Sequence, residues 1–476
     1  MTAQDAKPNI RFGTDGWRAL IAEDYTFGNV RACAQAVALE MAASGDAARG
    51  VVAGFDTRFL SDRFAAAAAE VLAANGLDTH LSDRPAPTPA CSYAVTHLGA
   101  GAGVMITASH NPAIWNGFKV KSSVGGSAPP EMVARIESHV DAVLLGDKPI
   151  KRGGAGSGVR SFDPVQPYAE QLGRVMDIAP VREKRLKVVV DAMYGSGAGI
   201  LPKVLSGGNV EVIEINGEFN PAFPGIRQPE PVESNLKRLA DEVKRSGADV
   251  GLALDGDADR LGVIDETGHY MSTLEVFSLL AHHLVARRKL TGGVACTITM
   301  SSMVDRLGEA YNIPVFRTPV GFKFVGPTMV DEGCVIGGEE SGGYAFQGHI
   351  PERDGSLSGL LFLEAMVMSG KKPSELLGEL HDLAGPHTFR RIDLEFDDSR
   401  RGAIQDALAS SEPDKIGGMA VESADRRDGV RFNLAGGSWT VARLSGTEPL
   451  VRLYAETPDD KSLEAVLKGL RELLGV

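Results

Sequence analysis

The sequence predicts an α/β fold of several layered domains, closed by a smaller α+β domain at the C-terminus, and three observations carry that expectation. Apolar runs of strand length alternate with helix-period stretches: residues 51–55 before 63–74, then 103–106, 187–191, and 294–299 before 303–311. Such alternation builds mixed or parallel sheets covered by helices. A chain of 476 residues exceeds what one hydrophobic core supports, which implies about three or four domains. Beyond residue 386 the pattern changes: 430–434 and 439–444 flank the turn Ala435-Gly436-Gly437-Ser438, 450–455 continues as strand, and 459–474 ends as a helix opened by acidic residues.

The domain limits follow from composition. Residues 151–158 are basic and then Gly/Ser-rich, with too few apolar groups to pack, and read as a linker. The first α/β domain is therefore expected at 1–155. Strand-like 261–264 and a turn at Gly268 end a second at 156–268, before the amphipathic stretch 272–288. Helix-like 373–383 and Gly385-Pro386 end a third at 269–386, leaving 387–476 for the α+β domain. No internal repeat is visible by sequence identity.

Charge and cysteine usage narrow the function. A net charge of −13 lacks the positive footprint of a general nucleic-acid or membrane-surface binder. A phosphorylated ligand then needs local basic residues. Cys33, Cys91, Cys296 and Cys334 are scattered with no Cys-x-x-Cys pair, so neither a disulfide framework nor a structural zinc is expected. Residues 1–11 have no apolar core, and no run approaches the ~18 apolar residues of a membrane span. The expectation is a soluble cytoplasmic protein.

Four segments carry candidate chemistry. The string Ile106-Thr107-Ala108-Ser109-His110-Asn111-Pro112 presents a serine hydroxyl on a polar turn after an apolar strand. A hydroxyl is a weak nucleophile until a base, a metal or prior phosphorylation prepares it, and His110, Lys119 and an acidic loop are the candidates. Adjacent side chains usually diverge, which favours His110 as a residue that holds the loop. That acidic loop, Asp255-Gly256-Asp257-Ala258-Asp259-Arg260, lies between the strand-like runs 250–254 and 261–264. It resembles the start of an EF-hand, but Arg260 occupies the position that needs glycine, and its flanks are strands. Carboxylates two residues apart in a turn converge on one hard cation, a combination suited to Mg²⁺, with Arg260 beside a phosphoryl group.

Gly337-Gly338-Glu339-Glu340-Ser341-Gly342-Gly343 lets backbone approach a ligand closely while a carboxylate and a hydroxyl meet vicinal sugar hydroxyls. Arg443-Leu444-Ser445-Gly446-Thr447-Glu448-Pro449 offers a phosphate dianion an arginine, hydroxyls and turn amides. The remaining glycine clusters fit neither the dinucleotide nor the P-loop spacing, which disfavours a nucleotide-dependent kinase or dehydrogenase.

These four loops, in this order, resemble the alpha-D-phosphohexomutase family, the phosphoglucomutases and phosphomannomutases, over the whole chain. Arg11-Phe12-Gly13-Thr14-Asp15-Gly16-Trp17-Arg18, Gly54-Phe55-Asp56-Thr57-Arg58 and Thr318-Pro319-Val320-Gly321-Phe322-Lys323 are similar to further family segments. The resemblance implies three related α/β/α sandwich domains with mixed sheets and a smaller α+β domain around a central cleft. It implies that Ser109 carries the transferred phosphoryl group and, with Asp255, Asp257 and Asp259, holds one Mg²⁺ per chain. By the same resemblance Glu339 and Ser341 bind sugar hydroxyls, and Arg443, Ser445, Gly446 and Thr447 grip the non-reacting phosphate. Arg18, Lys119, Arg260 and Lys323 line the reacting end, with His110 or Lys119 as proton carrier.

Relatives that use both mannose and glucose phosphates, or glucosamine phosphate, typically end the sugar loop with histidine, where this chain has Gly343, and Glu339-Glu340-Ser341 resembles the phosphoglucomutase version. The implied reaction is therefore the interconversion of glucose 1-phosphate and glucose 6-phosphate, with a phosphomannomutase or dual-specificity enzyme as the alternative and glucose 1,6-bisphosphate as a candidate activator. The expected partner is a hexose phosphate, with no nucleic acid or membrane, in a monomer or homodimer. A serine-dependent metallophosphatase and a non-catalytic sugar-phosphate sensor are the competing classes. The far-end phosphate loop disfavours the first.

Overall fold

A computed structural model describes residues 10–153, 158–444 and 449–476. Among the described residues, four sheets organise the chain. The first has six strands in the order Trp17–Leu20, Trp115–Lys121, Ala102–Ile106, Val51–Phe55, Thr79–Ser82 and Val159–Phe162. Its last three neighbouring pairs are parallel and its first two antiparallel. The second orders Tyr270–Met271, Leu261–Ile264, Val250–Leu254, Lys187–Asp191 and Glu211–Ile215, again with an antiparallel side and a parallel side. The third orders Val315–Thr318, Val294–Thr297, Ile336–Gly338 and Tyr344–Phe346 with the same mixture. The fourth is a six-stranded antiparallel sheet carrying the helices Arg401–Ser410 and Asp460–Leu474. The expected mixed α/β layers and the C-terminal α+β layer are all present.

One motif recurs in the first three sheets. A buried parallel strand ends in a loop, and the chain returns as its antiparallel neighbour: Ala102–Ile106 to Trp115–Lys121, Val250–Leu254 to Leu261–Ile264, and Ile336–Gly338 to Tyr344–Phe346. Each of the three predicted chemical loops in these layers occupies that connection. Ligands of open α/β sheets bind at this carboxyl end, where loops from adjacent layers can meet.

Two sheets run past the limits expected from composition. Val159–Phe162 pairs with Thr79–Ser82, so the first sheet takes a strand from beyond residue 155. Tyr270–Met271 pairs with Val263 and Ile264, so the second sheet continues past Gly268. Both are short edge strands, too brief to announce themselves by period. Residues 154–157 of the proposed linker lie outside the described residues.

Packing joins the layers. One apolar cluster links Tyr168 and Val190 of the second layer to Phe277, Met303 and Leu360 of the third, and reaches Trp439 and Tyr454 of the fourth. The helix Gly355–Ser369 has no polar stripe among its first twelve residues because they are buried throughout. Among the described residues all four cysteines are free and buried, and no helix is long and apolar enough to cross a membrane.

Candidate active site

The Ser109 turn begins where the fully buried strand Ala102–Ile106 ends. Thr107 Oγ1 accepts the Ser109 N–H at 2.8 Å, and Ser109 has φ +52°, a left-handed conformation that a non-glycine residue holds only when its surroundings enforce it. The enforcing group is Arg58. Its guanidinium, buried beside Asp56 at 3.1 Å, donates to the carbonyls of Ser109 and Asn111 at 2.6 Å, Pro112 at 2.9 Å and Trp115 at 3.2 Å. The turn aims Ser109 Oγ at Asp255 Oδ2, 3.1 Å away. His110 Nδ1 lies 3.3 Å from the same hydroxyl. The expected divergence of adjacent side chains does not occur, because the left-handed backbone at Ser109 turns both to one side.

In the acidic loop, Asp255 Oδ1 accepts the backbone N–H groups of Asp259 at 2.9 Å and Arg260 at 3.1 Å, which leaves Oδ2 facing Ser109. Asp257 Oδ2 accepts the Thr88 hydroxyl at 2.5 Å and the Lys119 ammonium at 2.9 Å. Lys119 also lies 3.3 Å from Asp259 Oδ2 and 2.6 Å from Asp15 Oδ2. The loops approach closely only because residue 256 is glycine. A Cβ there would stand 2.5 Å from the Ser109 carbonyl oxygen.

These residues fit a hard divalent cation. All three aspartates are completely buried, one ligand atom of each lies within 4.8 Å of the others, and Oδ1 of Asp257 and of Asp259 makes no hydrogen bond. Buried carboxylate oxygens without a partner are costly, and a Mg²⁺-like ion with an all-oxygen shell is the natural partner.

Burial, then the neighbouring charges of Asp259 and Asp257, push Asp255 well above the usual carboxylate range. Burial acts the same way on Asp257, but Lys119 and the Thr88 hydroxyl outweigh it and hold Asp257 low. Lys119 is raised: burial opposes its charge, and Asp15, Asp257 and Asp259 together more than restore it. His110 is lowered far below an ordinary imidazole by burial and by the cations Arg260, Arg18, Arg58 and Lys119. The lysine is thus held charged and the histidine neutral.

The other predicted residues take distinct places. Arg18 donates to Asn111 Oδ1 at 2.7 Å, within the serine turn. Arg260 donates to Glu230 Oε1 at 2.8 Å and lies 3.8 Å from Asp259 Oδ1. Glu339 accepts the Gly321 N–H at 3.0 Å, and burial, partly offset by Arg353, moves it up to about 7. Ser341 lies on the same turn, half-buried, and the carbonyl of Gly342 accepts the Leu261 N–H at 2.9 Å, which joins the sugar loop to the acidic loop. Lys323 donates to the Gly13 carbonyl at 3.3 Å. Arg443 is bound at 2.8 Å by Asp428, which also accepts the Val320 N–H at 2.9 Å. Ser445, Gly446 and Thr447 lie outside the described residues.

Sequence reasoning missed Asp15, Arg58, Glu230 and Arg353. Asp15 and Arg58 sit inside segments noted for their family likeness, a signal that was present but gave no role. Glu230 and Arg353 belong to no chemical loop and are brought in only by folding.

The comparisons agree on a family. Models of the phosphoglucomutase/phosphomannomutase α/β/α domains I, II and III match residues 9–145, 166–268 and 274–383, and the model of the family's C-terminal domain matches 402–473. A Thermococcus kodakarensis protein named phosphoglucomutase/phosphomannomutase is 33% identical over 467 residues, 97% of this chain and 99% of its own. A Desulforamulus reducens phosphoglucosamine mutase is 30% identical, covering 98% of this chain and 99% of its own. A Thermus thermophilus protein classed as a phosphomannomutase superposes with TM-score 0.85 at 33% identity, over 98% of this chain and 99% of that one. With every domain matched in order along nearly its full length, the chain belongs to the phosphoglucomutase/phosphomannomutase family, the hexose-phosphate mutases that act as intramolecular phosphotransferases.

Proposed function

We propose that this enzyme interconverts glucose 1-phosphate and glucose 6-phosphate through a phosphorylated Ser109. The observation that carries the reading is the buried 3.1 Å contact between Ser109 Oγ and Asp255, which joins loops 146 positions apart. In the first half-reaction the serine O–P bond breaks as the phosphoryl group moves to the free sugar hydroxyl, whose proton passes to the neutral His110. The bisphosphate reverses in the cleft, its other phosphoryl group returns to Ser109, and the proton is given back. Asp255, Asp257 and Asp259, with a phosphoserine oxygen, would hold Mg²⁺, which would supply charge neutralisation at the transferred group.

The chain's own groups supply the rest. Lys119, held cationic, and Arg18 and Arg260 offset the negative charge that develops on the equatorial oxygens. Glu339 and Ser341 orient the sugar hydroxyls, and Arg443 leads the loop that binds the distant phosphate. Closure of the C-terminal domain excludes water, which protects the phosphoserine from hydrolysis. Glucose 1,6-bisphosphate, the proposed intermediate, can prime an unphosphorylated enzyme.

Gly343, standing where relatives that use both mannose and glucose phosphates, or glucosamine phosphate, carry histidine, supports glucose. A second reading, glucosamine phosphate, is favoured by the Desulforamulus reducens relative's name. Turnover of glucose 1-phosphate, mannose 1-phosphate and glucosamine 6-phosphate by purified enzyme separates them. Glucose is expected to have the highest kcat/KM, and a wide preference for either competitor removes the assignment. Intact-protein mass spectrometry should find one phosphoryl group, mapped to Ser109.

A further inference from the structure

One buried cation lies between the acidic loop and the sugar loop without belonging to either. Arg353 is 4% exposed. Its Nη2 lies 2.8 Å from Asp259 Oδ2 and donates to Asp15 Oδ2, while Nη1 donates to Glu339 Oε2 at 3.3 Å. Nε faces Glu352 Oε1 at 3.5 Å, and the guanidinium lies over the Phe322 ring at 5.5 Å. A planar fork with fixed donor directions thus meets carboxylates from the N-terminal segment, the acidic loop and the sugar loop, which a flexible ammonium would not hold in one geometry.

The route of its side chain explains Gly343. A Cβ on residue 343 would lie 2.3 Å from Arg353 Cδ and 2.8 Å from Cγ. Those atoms belong to the stem rather than the free tip, so a side chain at 343 and the observed Arg353 exclude each other. The space that a residue at 343 would use to face the sugar loop is filled by the arginine.

We propose that Arg353, admitted by Gly343, is a positioning residue that couples the acidic loop to the sugar loop. The inference rests on the reading in which Asp259 is a metal ligand and Glu339 a sugar ligand. Asp259 and Glu339 share one guanidinium. A divalent cation held by Asp259 would neutralise part of that carboxylate's charge, which would leave more of the arginine's attraction for Glu339 and fix it against the sugar. By linkage the sugar phosphate then strengthens cation binding by the same factor.

The test is a titration of Mn²⁺, measured by calorimetry with and without glucose 1-phosphate, on the full-length wild type, Arg353→Lys, Gly343→Ala and the double variant. Replacing a group that orients a metal ligand weakens metal binding by roughly 10-fold or more, and that loss is expected in Arg353→Lys. Gly343→Ala should reproduce it by displacing the same stem, the double variant should be no weaker than the worse single one, and glucose 1-phosphate should tighten Mn²⁺ binding in the wild type alone. Circular dichroism and thermal midpoints establish folding, and if Arg353→Lys does not fold, Gly343→Ala gives the same reading. Unchanged Mn²⁺ affinity in a folded Arg353→Lys protein, or fully additive losses in the double variant, overturns the proposal. An enzyme that ignores glucose phosphates would fail the sugar assignment in the wild type, while titration with the metal alone still scores Arg353.

Discussion

At the scale of single residues, the site depends on close approach. Gly256 sets how near the acidic loop comes to the serine turn, since a methyl group there meets the Ser109 carbonyl oxygen at 2.5 Å. Gly256→Ala should therefore push the loops apart with little effect on the fold. A shift of about 1 Å at a reacting centre costs on the order of 10²-fold in rate, so kcat is expected to fall by about that factor while the thermal midpoint stays near the wild-type value. Ser109→Ala removes the proposed carrier itself. It should fold normally and lose steady turnover, and robust activity in that variant would contradict the mechanism. The serine turn and the acidic loop were legible in the sequence as candidates, because both are written as contiguous strings. The left-handed backbone at Ser109 was not, because Arg58, which enforces it, is 51 positions away.

At the scale of elements, the helix Gly355–Ser369 illustrates how one cap carries several duties. Asp354 accepts the Leu357 N–H at 2.8 Å as the helix cap, the Tyr168 hydroxyl at 2.7 Å, and His349 Nε2 at 3.0 Å. Tyr168 belongs to the second layer, so the cap also joins that layer to the third. Losing a capping side chain costs about 1 kcal/mol, and each buried donor left without a partner adds about 1–3 kcal/mol. Asp354→Ala should lower stability by about 3 kcal/mol or more from these contributions together, measured by urea unfolding, whereas an effect near 1 kcal/mol would mean that the cap alone matters. Helices and strands of this kind were readable from period and composition: Met303–Tyr311 and Val430–Leu434 form where the pattern predicts. The edge strand Val159–Phe162 was not, since a four-residue edge strand is defined by its neighbour rather than by its own sequence.

At the scale of the whole molecule, one buried carboxylate is among the groups that hold the C-terminal domain to the third layer, beside the shared apolar cluster and the Asp428–Val320 hydrogen bond. Glu456 accepts the Ser302 N–H at 2.9 Å and hydroxyl at 2.7 Å, the Trp439 indole at 3.0 Å and His387 Nδ1 at 3.0 Å. His387 Nε2 faces the Ala384 carbonyl at 3.1 Å, so both ring nitrogens meet acceptors and the doubly protonated ring fits. Burial opposes the charge on each partner. For Glu456 the histidine and the Ser302 and Ser301 hydroxyls prevail and hold it down to about 2. For His387 the hydrogen bond and charge of Glu456 prevail and raise it above 6.5. The signs give a window. The glutamate's contribution is present above its ordinary 4.5 and fades as pH falls toward about 2, while the histidine's is complete below 6.5 and fades as pH rises through its raised value. The difference in thermal midpoint between wild type and Glu456→Gln should thus be widest between pH 4.5 and 6.5, and a difference that does not vary with pH would show that the ion pair is not what holds the junction.

By itself the sequence determined the alternation of strands and helices, the place of each chemical loop at the end of a strand, and the resemblance that named the family, because each is encoded in residues adjacent along the chain. Only the tertiary structure decided which of those loops meet. It set Asp15 of the N-terminal segment and Asp257 and Asp259 of the acidic loop on the one ammonium group of Lys119 in the first sheet, and brought Arg353 from outside every motif to lie between them and Glu339. Buried charges acquire partners only when separate layers close over them, and that pairing leaves no periodic or compositional trace along a chain.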